Sequence, residues 1–259
     1  MKPLYLKGVE PLKVSLDGPA LKVSQPGAAD RRFPLRRVSR VIVSNRVTWS
    51  TRALLACADE GITVCFLSRD GTPRARWTGR PSPRSEFLQR WHDFVDRPDW
   101  RELFAQWRTA ARRRAVRFCA LRMGWSPRQP TRALVRTVLA PIRESAGHDR
   151  YREMRRQIHG LARTRALADL SNLGLGADDD ALAAVTPTLA TSIQWGLHPE
   201  LVRWLGASSR RDGRQLPMSA DLSCDSKDAI HFFERHADSC AFHLRDSLLH
   251  LKRYMESHQ

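Results

Sequence analysis

The sequence predicts an α+β protein: a small, mostly antiparallel β domain over residues 1–80, followed by an all-helical domain over residues 84–259. Two observations carry this reading. Before residue 80 the apolar residues fall in short runs separated by turn signals. After Gly79-Arg80-Pro81-Ser82-Pro83, which reads as a linker, the apolar spacing changes to the period of about 3.6 residues that marks helices, and it stays there. The 259 residues suffice to bury one large core or two smaller ones.

The β-like runs, in order, are Leu4 to Leu6, Leu12 to Leu16, Leu21 to Ser24, Val38 to Val43, Val47 to Trp49, Ile62 to Leu67 and Arg74 to Thr78. Leu16-Asp17-Gly18-Pro19 and Arg69-Asp70-Gly71-Thr72 carry hairpin chemistry, because Asp-Gly supplies the positive φ angles of two-residue turns. One helix interrupts the strands. Ser50 or Thr51 caps Arg52 to Glu60, where Leu54, Leu55 and Ala58 recur at helical spacing until Gly61 ends the segment.

Beyond the linker, Phe87, Trp91, Phe94 and Val95 line one face of a helix that Pro98 stops. Asp99 is expected to cap a longer helix with Leu103, Phe104, Trp107, Ala111, Phe118 and Cys119 on its buried side. Further helices are expected over Thr131 to Ser145, Asp149 to Leu173, Pro187 to Leu205 and Ser226 to Glu256. In the last, Ile230, Phe233, Ala237, Cys240, Leu244, Leu248, Leu251 and Met255 step by three or four residues, as in a helix packed on a bundle or a dimer partner. The chain has no internal repeat.

Charge is the first functional signal. Lys and Arg number 44 against 27 acids, a net charge of +17, which attracts a polyanion. The excess is uneven: +9 over residues 1–80, +12 over 81–165 and −4 over 166–259. The long helix after Asp99 carries Arg108, Arg112, Arg113, Arg114, Arg117 and Arg122 with no acid among them. A solvated helix would alternate signs to gain i,i+4 pairs, whereas this one repels itself unless an anion lies nearby. Arg108, Arg112, Arg113, Arg117 and Arg122 are therefore expected to contact nucleic-acid phosphates, independently of base sequence and with steep salt dependence. A membrane-surface role fits less well, because it needs a basic face opposite an apolar one. Trp91, Trp100, Trp107 and Trp125 could stack on bases, but aromatic residues at helical spacing more often fill cores.

Other classes find little support. No apolar run approaches the roughly 20 residues needed to cross a bilayer. The opening Met-Lys-Pro-Leu-Tyr-Leu lacks the features of a secretory signal, so a cytoplasmic location is expected, with reduced thiols. Cys57, Cys65, Cys119, Cys224 and Cys240 show no CxxC spacing and read as buried apolar thiols. There is no phosphate-loop motif, no dinucleotide fingerprint and no HExxH. His236, His243 and His250 recur every seven residues, about two turns apart, too far for neighbours to share one metal ion. Asp178, Asp179 and Asp180 read as acids favoured at a helix N-terminus.

Three stretches carry a family resemblance: Met1-Lys2-Pro3-Leu4-Tyr5-Leu6, Phe33-Pro34-Leu35-Arg36-Arg37-Val38-Ser39-Arg40-Val41, and Ala53-Leu54-Leu55-Ala56-Cys57-Ala58-Asp59-Glu60-Gly61-Ile62-Thr63-Val64-Cys65-Phe66-Leu67 closing on Asp70-Gly71. In this order they resemble the CRISPR adaptation integrase family. The resemblance implies an N-terminal β domain that mediates homodimerisation and an α-helical domain that binds DNA. It also implies a metal-dependent endonuclease and integrase that inserts short DNA segments into a repeat array, aided by a small ferredoxin-like partner. The family's metal site uses one Glu, one His and one Asp, suited to hold Mg²⁺ or Mn²⁺ beside a phosphate.

Carried over residue by residue, the Glu position falls on Ala162 in His159-Gly160-Leu161-Ala162-Arg163, and the His position on Ser209 in Gly206-Ala207-Ser208-Ser209. Asp221, in Pro217-Met218-Ser219-Ala220-Asp221-Leu222, matches the family's Asp, with Cys224 where a second acid is expected. Glu144, Glu153, His159 and Glu234 are the fallback ligands. Three readings follow. The first is a dimeric DNA-binding relative, acting on double-stranded or branched DNA, with weak or absent catalysis. The second is an active enzyme with its ligands at other positions. The third is a structural nucleic-acid-binding subunit of a larger defence complex.

Overall fold

Short strands build the first part of the chain. In a computed structural model, which describes residues 2–7, 11–44, 46–68, 71–79, 86–143, 148–175, 180–211 and 226–258, eight strands and one helix precede residue 80. They are β1 (Lys2–Leu6), β2 (Leu12–Asp17), β3 (Ala20–Ser24), β4 (Arg31–Pro34), β5 (Val38–Val43), β6 (Val47–Trp49), α1 (Thr51–Asp59), β7 (Thr63–Leu67) and β8 (Pro73–Trp77). Two four-stranded sheets result, ordered β1-β5-β7-β8 and β4-β3-β2-β6.

The sheets are mixed rather than mostly antiparallel. β2/β3, β3/β4 and β7/β8 are antiparallel, but β1/β5, β2/β6 and β5/β7 are parallel. The antiparallel hairpins β2/β3 and β7/β8 announce themselves through their turns. A parallel pair instead needs a crossover, here α1 between β5 and β7, and leaves no local signal of its partner. In the β2/β3 hairpin Asp17 faces Ala20, so Gly18 and Pro19 form the loop. Gly18 takes φ 55°, which a side chain would resist, while Pro19 fixes the next position at negative φ. In the second hairpin Gly71 has φ 80° and donates its N–H to the Ser68 carbonyl at 3.0 Å, while Arg69 and Asp70 lie outside the described residues. β4 escapes sequence reading because Arg31, Arg32 and Pro34 mask an edge strand, which Arg32 ties to Asp17 at 2.7 Å.

Ser50, not Thr51, caps α1: its Oγ accepts from the Ala53 N–H at 3.2 Å. Val14, Leu21, Val41, Ala53, Cys57 and Val64 form the fully buried centre beneath both sheets. Each such Val or Leu contributes about 1.5–3 kcal/mol.

The helices that follow are α2 (Glu86–Val95), α3 (Trp100–Arg122), α4 (Thr131–Arg143), α5 (His148–Asn172), α6 (Asp180–Arg211), α7 (Ser226–Arg235) and α8 (Ala237–Glu256). The architecture is α+β with a helical C-terminal part. By packing the chain divides into two units: Met1–Gln89 with Arg163–Ala184, and Arg90–Ala162 with Val185–Gln259. No described helix is long and apolar enough to cross a membrane.

Three helix boundaries differ from expectation. Asp99 precedes α3 but makes no side-chain cap; its carboxylate instead takes both Nε and Nη2 of Arg97 at 3.0 Å. α6 runs from Asp180 through Pro187 and Pro199, rather than starting at Pro187. A proline inside a helix costs about 3 kcal/mol, and burial of Val185, Leu189, Ile193, Trp195, Leu197 and Leu201 offsets that cost. The expected helix from Ser226 to Glu256 breaks at His236. There the imidazole Nδ1 lies 2.8 Å from the Phe232 carbonyl, which a continuous helix would give to the His236 N–H, and that N–H turns to Phe233 instead.

Trp91, Phe94, Trp100, Phe104 and Trp107 pack tilted, edge-to-face or stacked in the second unit, so of the four tryptophans considered for base stacking Trp91 and Trp107 are buried in the core and half-buried Trp100 packs against it. Trp125 alone of the four is exposed. Cys57, Cys65, Cys119 and Cys240 are buried free thiols, as expected, with burial pushing Cys57 up to about 11 and Cys65 and Cys119 up to about 12. Cys224 lies outside the described residues.

Two contacts set the interior of the second unit. The His243 ring lies against the Gly196 backbone so closely that any Cβ there would overlap it, and its other side meets Phe118. Tyr151 Oη and His198 Nδ1 are 3.0 Å apart in the core. Burial, with nearby Arg155, lowers the His198 pKa to about 4.

Gly196→Ala should lower stability by about 1–3 kcal/mol, read as a reduced Tm, because the His243 ring must shift. His198 folds neutral, with a pKa below its unfolded value of 6.5. Its contribution is complete above pH 6.5 and is lost as pH falls toward about 4. Urea titrations across that window should show a loss of about 3 kcal/mol that a His198→Asn variant lacks.

Candidate nucleic-acid interface

From Leu103 through Arg143 the chain has ten arginines and no acid. α3 and α4 carry nine of them on two helices that must still pack. An apolar seam makes this possible: Val116, Cys119 and Ala120 of α3 meet Leu134 and Val138 of α4 and Trp195 of α6, all buried. Val135, Leu139 and Met123 border the seam.

Beside that seam lies a cleft of ≈ 580 Å³ lined by Thr109, Arg112 and Arg113 of α3 and Thr131, Arg132, Val135 and Arg136 of α4. Helical spacing explains the lining, since positions 109, 112 and 113 share one face, as do 132 and 136. Among the described residues the lining holds four guanidinium groups, two hydroxyls and no carboxylate. α4 also begins here, with no acid in its first turn to neutralise the positive end of its dipole.

The arginines fall into two classes. Arg122 donates to Glu200 at 2.6 Å, and Glu200 also pairs with Arg203 at 2.5 Å. Arg114 faces Asp246 at 3.7 Å, and burial lowers its pKa. These two tie α3 to α6 and α8. By contrast, Arg108, Arg112, Arg113, Arg117, Arg132 and Arg136 are exposed and make no ion pair or hydrogen bond among the described residues. Of the five arginines expected to meet phosphates, Arg112 and Arg113 line the cleft and Arg108 and Arg117 sit one turn to either side. Arg122 is engaged with Glu200. Arg132 and Arg136, absent from that set, complete the cleft; the acid-free stretch running past the end of α3 is the sequence signal that points to them.

The positions considered for a metal are less convergent. Ala162 is fully buried in α5 and offers only a methyl group. Glu153 accepts from Arg156 and Gln157, each at 2.7 Å. His159 and Glu234 are half-buried, on α5 and α7. Among the described residues no three His, Cys, Asp or Glu side chains group to hold a metal ion. Asp221 and Glu144 lie outside the described residues, and Ser209 is placed only as part of α6. The described side chains therefore do not fit a Glu, His and Asp trio. His236, His243 and His250 serve separately: His236 breaks the helix, His243 packs on Gly196, and His250 faces Asp246 at 3.6 Å.

Replacing Arg122 with Ala should cost about 0.2–1 kcal/mol of stability, with a similar coupling to Glu200→Ala in a double-mutant cycle read by urea denaturation.

Comparison with known proteins places the chain. The family model described as CRISPR associated protein Cas1 matches residues 9–165. The chain is similar in structure to a CAS1 protein from Thermotoga maritima, with TM-score 0.68 and 13% identity over 98% of this chain and 97% of the other. A casposase bound to integration product gives TM-score 0.65 at 12% identity, over 100% of this chain and 92% of that one. TtCas1 in a DNA complex gives 0.54 at 14%, over 95% of each. No curated protein sequence matches. At such identities the structural likeness concerns the fold, while the family model spans more than half of the sequence. The chain belongs to the CRISPR associated protein Cas1 family, whose members are generally metal-dependent.

Proposed function

We propose that this protein is a DNA-binding member of the spacer-acquisition machinery, working in the cytoplasm as a homodimer paired through its N-terminal β domain, with weak or absent catalysis of its own. The observation that carries the binding half is the set of exposed arginines on α3 and α4 that have no ion-pair partner among the described residues, in a family with a relative solved as a DNA complex. Arginines that repel one another and lack acidic partners are stabilised by a bound polyanion. The catalytic half rests on Ala162, whose buried methyl group stands where the family's Glu is expected. Without that carboxylate, Asp221 is a poor anchor for Mg²⁺ or Mn²⁺. Double-stranded or branched DNA is the substrate class, and the small ferredoxin-like protein of the same machinery is the proposed partner.

The test is incubation of the purified chain with branched and blunt duplex DNA in the presence of Mn²⁺, followed for both binding and strand cleavage. Binding should survive, with cleavage absent or orders of magnitude below that of an active relative. Strong cleavage abolished by Asp221→Ala would overturn the catalytic half, and a loss of rate in Glu144→Ala, Glu153→Ala, Glu234→Ala or His159→Ala would then identify the ligands.

A further inference from the structure

We infer that the outer face of α8 pairs with the same face of a second copy of this chain, the two helices lying parallel about a two-fold axis. This contact is separate from the β-domain pairing proposed above and needs no bound nucleic acid. The exposed residues of α8 are Asp238, Phe242, Arg245, Leu249, Arg253 and Glu256, which step by three or four along one side of the helix. Cys240, Leu244, Ser247, Leu251 and Met255 are buried on the opposite side. The apolar spacing that marks this helix in the sequence therefore faces its own core. Phe242 and Leu249 form a second apolar line, left 55% and 46% exposed among the described residues.

Charge identifies the occupant. At about 100° per residue, Phe242 and Leu249 sit two turns apart on nearly one line, with Arg245 and Asp246 between them at about 50° to either side and almost level along the axis. A two-fold axis along that line sets Phe242 on the Phe242 of the other copy, Leu249 on its Leu249, and each Arg245 against the other copy's Asp246. Both ion pairs form together. A partner of one charge sign would instead be drawn to one side of the line and repelled from the other. The two groups have room for this. Arg245 Nε meets the Ala241 carbonyl of its own helix at 3.3 Å, and its guanidinium makes no ion pair among the described residues. The Asp246 carboxylate lies 3.7 Å from Arg114 and 3.6 Å from His250, beyond hydrogen-bond length, and stays 41% exposed.

The 20 residues of α8 span about 30 Å. One such helix pair buries less than the roughly 1,000 Å² of a lasting interface, so the contact is weak between separate chains. It strengthens where a second contact raises the effective concentration, as in a tetramer closed by this axis and a β-domain axis at right angles.

Sedimentation velocity of the full chain without nucleic acid, over a range of concentrations, tests this on the wild type, Phe242→Glu/Leu249→Glu and Arg245→Glu. With rising concentration the wild type should reach twice the mass of the double variant, whatever state the β domain sets. The double variant should weaken this association by roughly tenfold or more, because each new carboxylate faces its own copy, and Arg245→Glu by roughly threefold, because it faces Asp246. Circular dichroism should show all three folded alike. As a second readout, Phe242→Cys and Leu249→Cys, oxidised separately, should each give a disulfide-linked dimer above the wild-type level, and Ala105→Cys, exposed on α3, should not.

Equal masses for the wild type and the double variant at every concentration, with no cross-link at residue 242 or 249, overturn the inference and leave the face to a different occupant. Cross-links that form only between a Phe242→Cys chain and a Leu249→Cys chain overturn the parallel arrangement. Both readouts are taken without polynucleotide, so the nucleic-acid reading stands or falls separately.

Discussion

Packing α3 on α4 brings four guanidinium groups into one cleft, and an apolar seam bears the repulsion. Val116, Cys119 and Ala120 against Leu134, Val138 and Trp195 leave each helix little freedom to turn its arginines apart. Each of these larger side chains contributes about 1.5–3 kcal/mol on burial, whereas repulsion between exposed charges is weakened by solvent and salt. The fold therefore tolerates a concentration of charge that an isolated helix would not. The neighbouring Arg122 and Arg114 were given acids, Glu200 and Asp246, and those pairs hold α3 to other helices of the same unit. Arg112, Arg113, Arg132 and Arg136 have none among the described residues.

How legible this was in the sequence depends on whether the signal was local. The hairpin at Gly18, the cap at Ser50 or Thr51 and the apolar face of α2 depend on neighbours a few residues away: the hairpin formed with Gly18 and Pro19 as its loop, Ser50 took the cap, and α2 formed as read. Parallel pairing of β1 with β5 and β5 with β7 depends on partners far along the chain, so a mostly antiparallel domain was expected where mixed sheets formed. The run from Ser226 to Glu256 kept its apolar spacing, but a histidine competing for one carbonyl divided it at His236. Pro187 read as a helix start because the burial that carries α6 through two prolines comes from tertiary packing.

The candidate site was half legible for the same reason. The arginine row of α3 stood out as an acid-free run, yet a row on one helix does not reveal which members acquire partners. Tertiary packing assigned Arg122 to Glu200 and brought Arg132 and Arg136 to Arg112 and Arg113 from another helix. Ala162, by contrast, needed no structure: a methyl group ligates nothing wherever it lies. What the fold adds is that it is sealed in the core, among residues such as Ile158 and Ala166 of its own helix. Membership of the Cas1 family and the charge on α3 and α4 thus support the proposed binding of nucleic acid, and the proposal of weak catalysis rests on reading Ala162 at the family's Glu position.

Hydrogen exchange of the intact protein, with and without a short single strand in EDTA, addresses that combination most directly. The amides that open α4, from Thr131 to Ala133, precede the first helical bond at Leu134 and should exchange fast in the free protein. Slowing centred on these amides when the strand is added is the outcome that the arginine cleft requires. Unchanged exchange there, alongside slowing in some other part of the chain, would place the polyanion elsewhere and contradict it.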